Sequence, residues 1–265
     1  MHPLLNIAIR AARNAGNIIS RSVERIDALT IHTKAQNDFV TEVDRLAEQE
    51  IIRVIRKSYP DHAILAEESG SQQGDEYQWI IDPLDGTTNF LHGFPQFAVS
   101  IAIQHRGRLE HAVIYDPMRQ ELFSASRGAG AQLDGRRIRV TRRKGLEGAL
   151  LGTGFPFKQR QHLDSYLATF KALFSSAAGI RRPGAAALDL AYVAAGRLDG
   201  FWELGLQPWD MAAGVLLIQE AGGLAGDFSG NENYLKTGNL VAGNAKIFRA
   251  ILQTIQPHLS ADLKC

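Results

Sequence analysis

The sequence predicts an α/β (α+β) fold with mixed and antiparallel sheets, on three observations. Short apolar strands end in acids, as in Trp79-Ile80-Ile81-Asp82. Between residues 97 and 126, alternating segments are separated by tight-turn pairs such as Arg106-Gly107, which reads as a meander. After about Gly145, strands and helices take turns, which reads as an α/β layer. The expected organisation is an N-terminal α+β half, 1–145, and a C-terminal α/β half, 146–265, forming one compact unit.

Residues 4–23 place Leu5, Ile9, Ala12 and Ile19 at helical spacing with polar residues between them. Residues 31–39 are polar and read as irregular chain or a short hairpin. Thr41-Glu42-Val43-Asp44 is a capping pattern, so a helix is expected over 42–58, stopped at Tyr59-Pro60-Asp61. Residues 63–66 form a short strand running into Glu67-Glu68-Ser69-Gly70. Residues 77–81 are aromatic and β-branched, hence a buried strand. Pro83 cannot donate to a ladder and is expected to stop the pairing. Strands follow at 97–104, 109–115 and 121–126, with turns at Gly128, Gly130 and Asp134-Gly135. The second half reads as strand 149–154, helix 161–174, helix 185–195, strand 198–203, helix 208–221, strand 239–242 and helix 245–255. Gly222-Gly223 closes the third of these helices.

At 265 residues the chain suits one large α/β unit or two intimate halves. A 45% apolar and 22% charged composition is ordinary for a globular protein. The net charge of +1 gives no global field toward nucleic acid or membrane. Arg10 and Arg13 interrupt the first apolar residues, and no uncharged run approaches the ~20 residues of a membrane span, so neither signal peptide nor membrane anchor is expected. The single cysteine, Cys265, excludes a disulfide framework and a cysteine-ligated zinc, and favours the cytoplasm. Arg136, Arg137, Arg139, Arg142, Arg143 and Lys144 cluster, as a solvated hairpin or an interaction surface.

The chemistry concentrates in Asp82-Pro83-Leu84-Asp85-Gly86-Thr87-Thr88. Both carboxylates leave the carboxyl end of a strand, where ligands bind in open α/β sheets. Gly86 permits an unusual backbone angle, and Thr87 and Thr88 offer hydroxyls and N–H groups at a helix start. Alone, the stretch is as compatible with a turn as with a site. Glu67 and Glu203 end two further strands. Asp210, in Pro208-Trp209-Asp210, is by itself explained as an acid in the first turn of a helix. Taken together, Glu67, Asp82, Asp85 and Asp210 are four carboxylates at element ends, with no cysteine or suitably spaced histidine beside them. An oxygen-only set, which the Leu84 carbonyl could complete, argues for Mg²⁺ or Mn²⁺ over zinc.

At these residues the sequence resembles the inositol monophosphatase family. The stretch 79–90 resembles its first signature, and Trp209-Asp210 through Glu220-Ala221-Gly222-Gly223 its second. Glu67-Glu68-Ser69 and Val40-Thr41-Glu42-Val43-Asp44 match two further landmarks in order, so the likeness spans nearly the whole chain. Ala186-Ala187-Leu188-Asp189-Leu190-Ala191-Tyr192 brings it closest to bacterial members.

The resemblance implies a layered α-β-α-β-α sandwich of the sugar-phosphatase type, often a homodimer. It implies Mg²⁺-dependent, Li⁺-sensitive hydrolysis of inositol 1-phosphate or similar sugar phosphates, with a metal-activated water attacking in line. Carried across, Glu67, Asp82 and the Leu84 carbonyl hold one ion, Asp82, Asp85 and Asp210 a second, and Glu67 reaches a third. Glu67, Asp44 and Thr87 are the catalytic residues, Asp44 and Thr87 orienting the water. Leu84, Asp85, Gly86, Thr87 and Thr88 take the phosphate end of the substrate. Glu203 and Asp210 take the alcohol end, with Gly184, Ala185 and Ala186 as the sugar wall and Arg181 as a weaker contact. Lys34 is either a neighbour of the third ion or a solvated side chain. Gln207 replaces a histidine of the animal enzymes and Phe155-Pro156-Phe157 lies in a variable region, so the sugar preference is open. Fructose 1,6-bisphosphate and 3′-phosphoadenosine 5′-phosphate are the alternative substrates. Bacterial members are also associated with ribosomal RNA transcription antitermination, which implies antitermination factors and RNA polymerase as partners.

Overall fold

The computed structural model describes residues 2–23, 31–35, 38–157 and 159–264, with backbone alone at 31–35 and 38–40. Cys265 and the Lys34 side chain lie outside what is described. Helix α1 (Pro3–Ser22) starts with Pro3 and with His2 Nδ1 accepting from the Leu4 amide. A hairpin, β1 (Ile31–Ala35) and β2 (Asp38–Thr41), leads into α2 (Glu42–Ser58). The capping box of α2 is complete: Thr41 Oγ1 accepts from the Val43 and Asp44 amides, and the Thr41 amide donates to Asp44 Oδ2.

The next strands are β3 (Ala63–Ala66), β4 (Gly70–Gln72) and β5 (Tyr77–Asp85), followed by the short helix α3 (Thr87–Leu91). Then come β6 (Ala98–His105), β7 (Arg108–Asp116), β8 (Glu121–Ser126), β9 (Gly130–Leu133) and β10 (Arg136–Arg137). These make an eight-stranded sheet in the order β10-β9-β8-β7-β6-β5-β3-β4, antiparallel except for the β3–β5 pair. Arg106 and Gly107 both have positive φ, as do Asp134 and Gly135, which suits the tight hairpins at those pairs. Pro83 does not end its strand. Asp82 pairs with Ser100, and pairing resumes at Asp85 with Ala98, so the proline occupies an irregularity where no ladder bond is required of it.

The second half contains β11 (Leu150–Thr153), α4 (Leu163–Phe174), β12 (Gly179–Arg181), α5 (Ala186–Ala194), β13 (Gly200–Glu203) and α6 (Pro208–Glu220). It ends with β14 (Leu224–Gly226), α7 (Tyr234–Thr237), β15 (Leu240–Gly243) and α8 (Ala245–Ile255). Its five-stranded sheet has the order β12-β11-β13-β15-β14, parallel at β11–β12 and β11–β13 and antiparallel beyond.

Side-chain alternation explains the stacking. Trp79, Ile81, Ile101, Ile103 and Val113 point to one face of the large sheet, against α1 and α2. Ile80, Ala102, Ala112 and Ile114 point to the other, against α5 and α6. The far side of α5 and α6 meets Phe201, Leu240 and Ala242 of the small sheet. That sheet's outer face, with Leu151, Trp202 and Val241, is covered by α4 and α8. The result is the expected α-β-α-β-α sandwich, with α5 and α6 as a middle layer buried on both sides. Among the described residues no helix is long and apolar enough to cross a membrane.

Candidate active site

Parallel pairing brings the first two acids together. Ala66 is in register with Ile81, and the Glu67 amide donates to the Ile81 carbonyl at 3.1 Å, so Glu67 and Asp82 leave the sheet side by side. Asp82 is buried, and its Oδ1 accepts from the Leu84 amide at 3.0 Å. Ser100, across the ladder from Asp82, donates from Oγ to the Trp209 carbonyl at 3.1 Å, which brings the start of α6 to this edge. Asp210 follows there, its Oδ2 accepting from the Gln207 amide at 2.7 Å. Asp85 Oδ2 accepts from the Ala187 amide at 2.7 Å, in the first turn of α5.

These acids feel one another. Burial first, then Glu67, Asp85 and Asp210, push Asp82 well above the ordinary carboxylate range. Burial and then Asp210 do the same to Asp85, against the opposing Ala187 amide. They are nonetheless not gathered into a finished cage: no group of three His, Cys, Asp or Glu side chains among the described residues stands ready to hold an ion. The acids lie within electrostatic reach, short of a closed ligand set.

Beside them, Thr87 Oγ1 lies 2.9 Å from Asp44 Oδ1 and 3.1 Å from the Leu84 carbonyl, so its one proton serves either acceptor. Asp44 Oδ2 is held by Thr41 Oγ1 at 2.6 Å. Burial raises the pKa of Asp44 despite these bonds. Gly86 caps α3 with φ of 97°, and a Cβ there would lie 2.8 Å from the Gln96 carbonyl oxygen.

A cleft of about 180 Å³ runs from Asp85 and Asp210 to Thr153, Gly154, Asp189 and Glu203, with Gly184, Ala185 and Ala186 on one wall. Thr153 is in parallel register with Trp202, which sets Gly154 beside Glu203; a Cβ on Gly154 would collide with the Glu203 carboxylate. Burial first, then Asp210, pushes the Glu203 carboxyl up to about 8. Arg182, not Arg181, lines the cleft, its guanidinium 5.0 Å from the ring centres of Phe155 and Phe157. Arg181 Nη1 donates instead to the Ile180 carbonyl. Thr88 is exposed at the start of α3. Asn89 Nδ2 lies 2.8 Å from the carbonyls of Gln96 and Pro183 and 3.2 Å from that of Gly184, joining the two sides of the site.

Three residues around the site take on a role only in the fold, Asp189 among them although it stands within the 186–192 stretch. Glu48 is buried in α2 and accepts from the Glu68 and Ser69 amides at 2.8 and 2.9 Å, fixing the loop that carries Glu67. Its signal is its place four residues after Asp44, on the apolar stripe with Ala47 and Ile51. Asp189 interrupts an otherwise apolar helix. Gly154 carried no signal; only the fold shows what it makes room for.

Two sheets interleaved with three helical layers, around a cleft lined by acids from strand ends and helices, mark an α/β protein of phosphatase type. The chain belongs to the inositol monophosphatase family, whose model matches residues 1–260. A Pseudomonas aeruginosa protein named Nus factor SuhB is 62% identical over 270 residues, spanning all of both chains. The crystal structure of extragenic suppressor protein suhB from Bartonella henselae shares the fold at a TM-score of 0.95 and 42% identity, over 97% of this chain and 100% of that one. An inositol monophosphatase from Anabaena matches at 0.86 and 39% identity, over 96% of this chain and 95% of its own.

Proposed function

We propose that the protein is a Mg²⁺-dependent phosphate monoester hydrolase, cytoplasmic, acting on inositol 1-phosphate or a similar sugar phosphate. The observation that carries this reading is that Glu67, Asp82, Asp85 and Asp210 lie within electrostatic reach of one another, with Asp85 and Asp210 lining a cleft that also holds Glu203. The donors fit a hard dication: all are oxygens, and Asp82 and Asp85 are buried carboxylates that need a positive neighbour to stay ionised. Glu67, Asp82 and the Leu84 carbonyl would hold one ion, Asp82, Asp85 and Asp210 a second, and Glu67 would reach a third. When bound, Mg²⁺ supplies Lewis-acid polarisation of the phosphoryl group and lowers the proton affinity of the attacking water.

The chain's own residues do the positioning. Thr87 Oγ1 donates to Asp44 or Leu84 and so presents a lone pair to the water, fixing its orientation. Glu67, at the strand end beside Asp82, is placed to take the proton that the water loses. Gly86 and the first amides of α3, at Thr87 and Thr88, cradle the phosphate oxygens. Asp210 stands by the leaving oxygen, and Glu203 accepts from a hydroxyl of the alcohol. Gly184, Ala185 and Ala186 form a wall without protruding side chains, and Arg182 takes the place expected of Arg181 at its edge. A homodimer fits the exposed apolar strip of Phe155, Phe157, Leu163 and Leu167 beside the cleft.

A second reading rests on the name Nus factor SuhB, borne by a relative 62% identical along its whole length. It is a binding role in ribosomal RNA transcription antitermination, with antitermination factors and RNA polymerase as partners. One variant tests both readings. Asp82→Asn should cut Mg²⁺-dependent phosphate release from inositol 1-phosphate at least about 100-fold, with an unchanged circular dichroism spectrum. It should still bind RNA polymerase in a pull-down. Wild-type turnover in the variant would refute the metal site; loss of polymerase binding would refute an independent binding role.

A further inference from the structure

The alcohol end of the cleft holds a carboxyl group that the proposed reaction does not use. Asp189 lies in the first half of α5, is 1% exposed, and its Oδ1 has no hydrogen-bond partner among the described residues. An orphaned buried oxygen destabilises the fold, since its lost hydration is not replaced. Its neighbours one turn away on that helix face, Ala186 and Val193, are buried and apolar, so an apolar side chain would fit the layer without that cost. The acid therefore opposes the local packing rule, which is where functional groups stand out.

Its placement gives the reason. Asp189 lines the same cavity as Glu203, Thr153 and Gly154, and that cavity reaches back to Asp85 and Asp210. Glu203 is near enough to raise the pKa of Asp189 further, after burial has done so. Gly154 leaves the Glu203 carboxylate open to the cavity, with the Arg182 guanidinium close enough to act on both acids. A ring held by its phosphate at the Asp85–Asp210 end would direct its far hydroxyls at these two groups.

We propose that Asp189 contacts substrate and determines specificity. With Glu203 it forms a two-carboxyl subsite for neighbouring hydroxyls of the alcohol, selecting cyclitol and sugar phosphates over aryl phosphates. This rests on the phosphatase reading above.

The test compares myo-inositol 1-phosphate with 4-nitrophenyl phosphate, at saturating Mg²⁺, for wild type, Asp189→Ala and Asp189→Asn. In Asp189→Ala, KM for inositol 1-phosphate should rise about 10-fold with kcat within about twofold, as for loss of one substrate hydrogen bond. Both constants for 4-nitrophenyl phosphate should stay within about twofold of wild type. Asp189→Asn, which keeps an acceptor at the same place, should recover most of the KM. Should the alanine variant unfold, Asp189→Leu fills the volume without a polar atom and carries the same expectation. An unchanged KM for inositol 1-phosphate, or an equal loss on both esters, overturns the subsite and leaves the phosphatase reading standing. Wild-type protein that releases phosphate from neither ester overturns the phosphatase reading, and the subsite with it.

Discussion

Replacing Glu48 with alanine should loosen the loop that delivers Glu67, although Glu48 itself lies outside the cleft. Its carboxylate, 3% exposed, accepts from the Glu68 and Ser69 amides at 2.8 and 2.9 Å. Each is a hydrogen bond to a charged group, worth ~1.5–3 kcal/mol. Ser69 is exposed, so water can take over part of its loss. The alanine variant should then lose ~2–4 kcal/mol of unfolding free energy, and Glu48→Gln, with one acceptor oxygen in place of two, ~1–2 kcal/mol. Urea unfolding in a chelating buffer measures this. A second readout separates stability from function. With the loop free to move, the Mg²⁺ concentration for half-maximal phosphate release should rise roughly 10-fold, as when a group supporting a metal ligand is removed. An alanine variant within about 0.5 kcal/mol of wild type, with an unchanged Mg²⁺ midpoint, would show that the two bonds do not hold the loop.

Two further outcomes are expected. Gly86→Ala should cost ~1–3 kcal/mol in urea unfolding and sharply reduce phosphate release, because φ of 97° and the Gln96 carbonyl 2.8 Å from the new Cβ oppose any side chain; stability and activity matching wild type would contradict the tight turn. The ion-free protein should lose stability as pH rises. Asp82, Asp85 and Asp189 hold protons well above the ordinary range and Glu203 up to about 8, so the folded state is protonated where the unfolded chain is not. Their stability is fully present below the unfolded values near 4 and is lost as pH rises through the raised folded values, for Glu203 up to about pH 8. Unfolding with chelator between pH 5 and 8.5 should show the decline and saturating Mg²⁺ should flatten it; a flat profile without Mg²⁺ would count against the buried acids.

Legibility in the sequence followed the strength of local signals. The helix at 42–58 is fixed by its capping box and the one at 245–255 by Asn244, which accepts from the Lys246 and Ile247 amides. The strand at 121–126 lies between turns that set its ends. By contrast β4, β12, β14 and α7 have three or four residues, too few to show a period, and the three strands exist because a neighbour supplies their partners. Pro83 misleads because a proline can stay in a strand wherever the ladder skips a bond. Acids at strand ends were legible because a carboxylate after an apolar run breaks the pattern in one place. Glu48 and Asp189 were harder, since an acid within a helix looks solvated until the neighbours of its face are known.

Asn89 has two amide hydrogens and three carbonyls within 3.2 Å, from Gln96, Pro183 and Gly184. One acceptor is always waiting, so the 183–184 segment can trade partners at this side chain without losing it. An occupant pressing on that segment therefore tugs on the turn at residue 89, far away in the chain. In the proposed reaction, grip on the alcohol and grip on the phosphate would then be coupled through this side chain, alongside the Asp85–Ala187 and Ser100–Trp209 bonds.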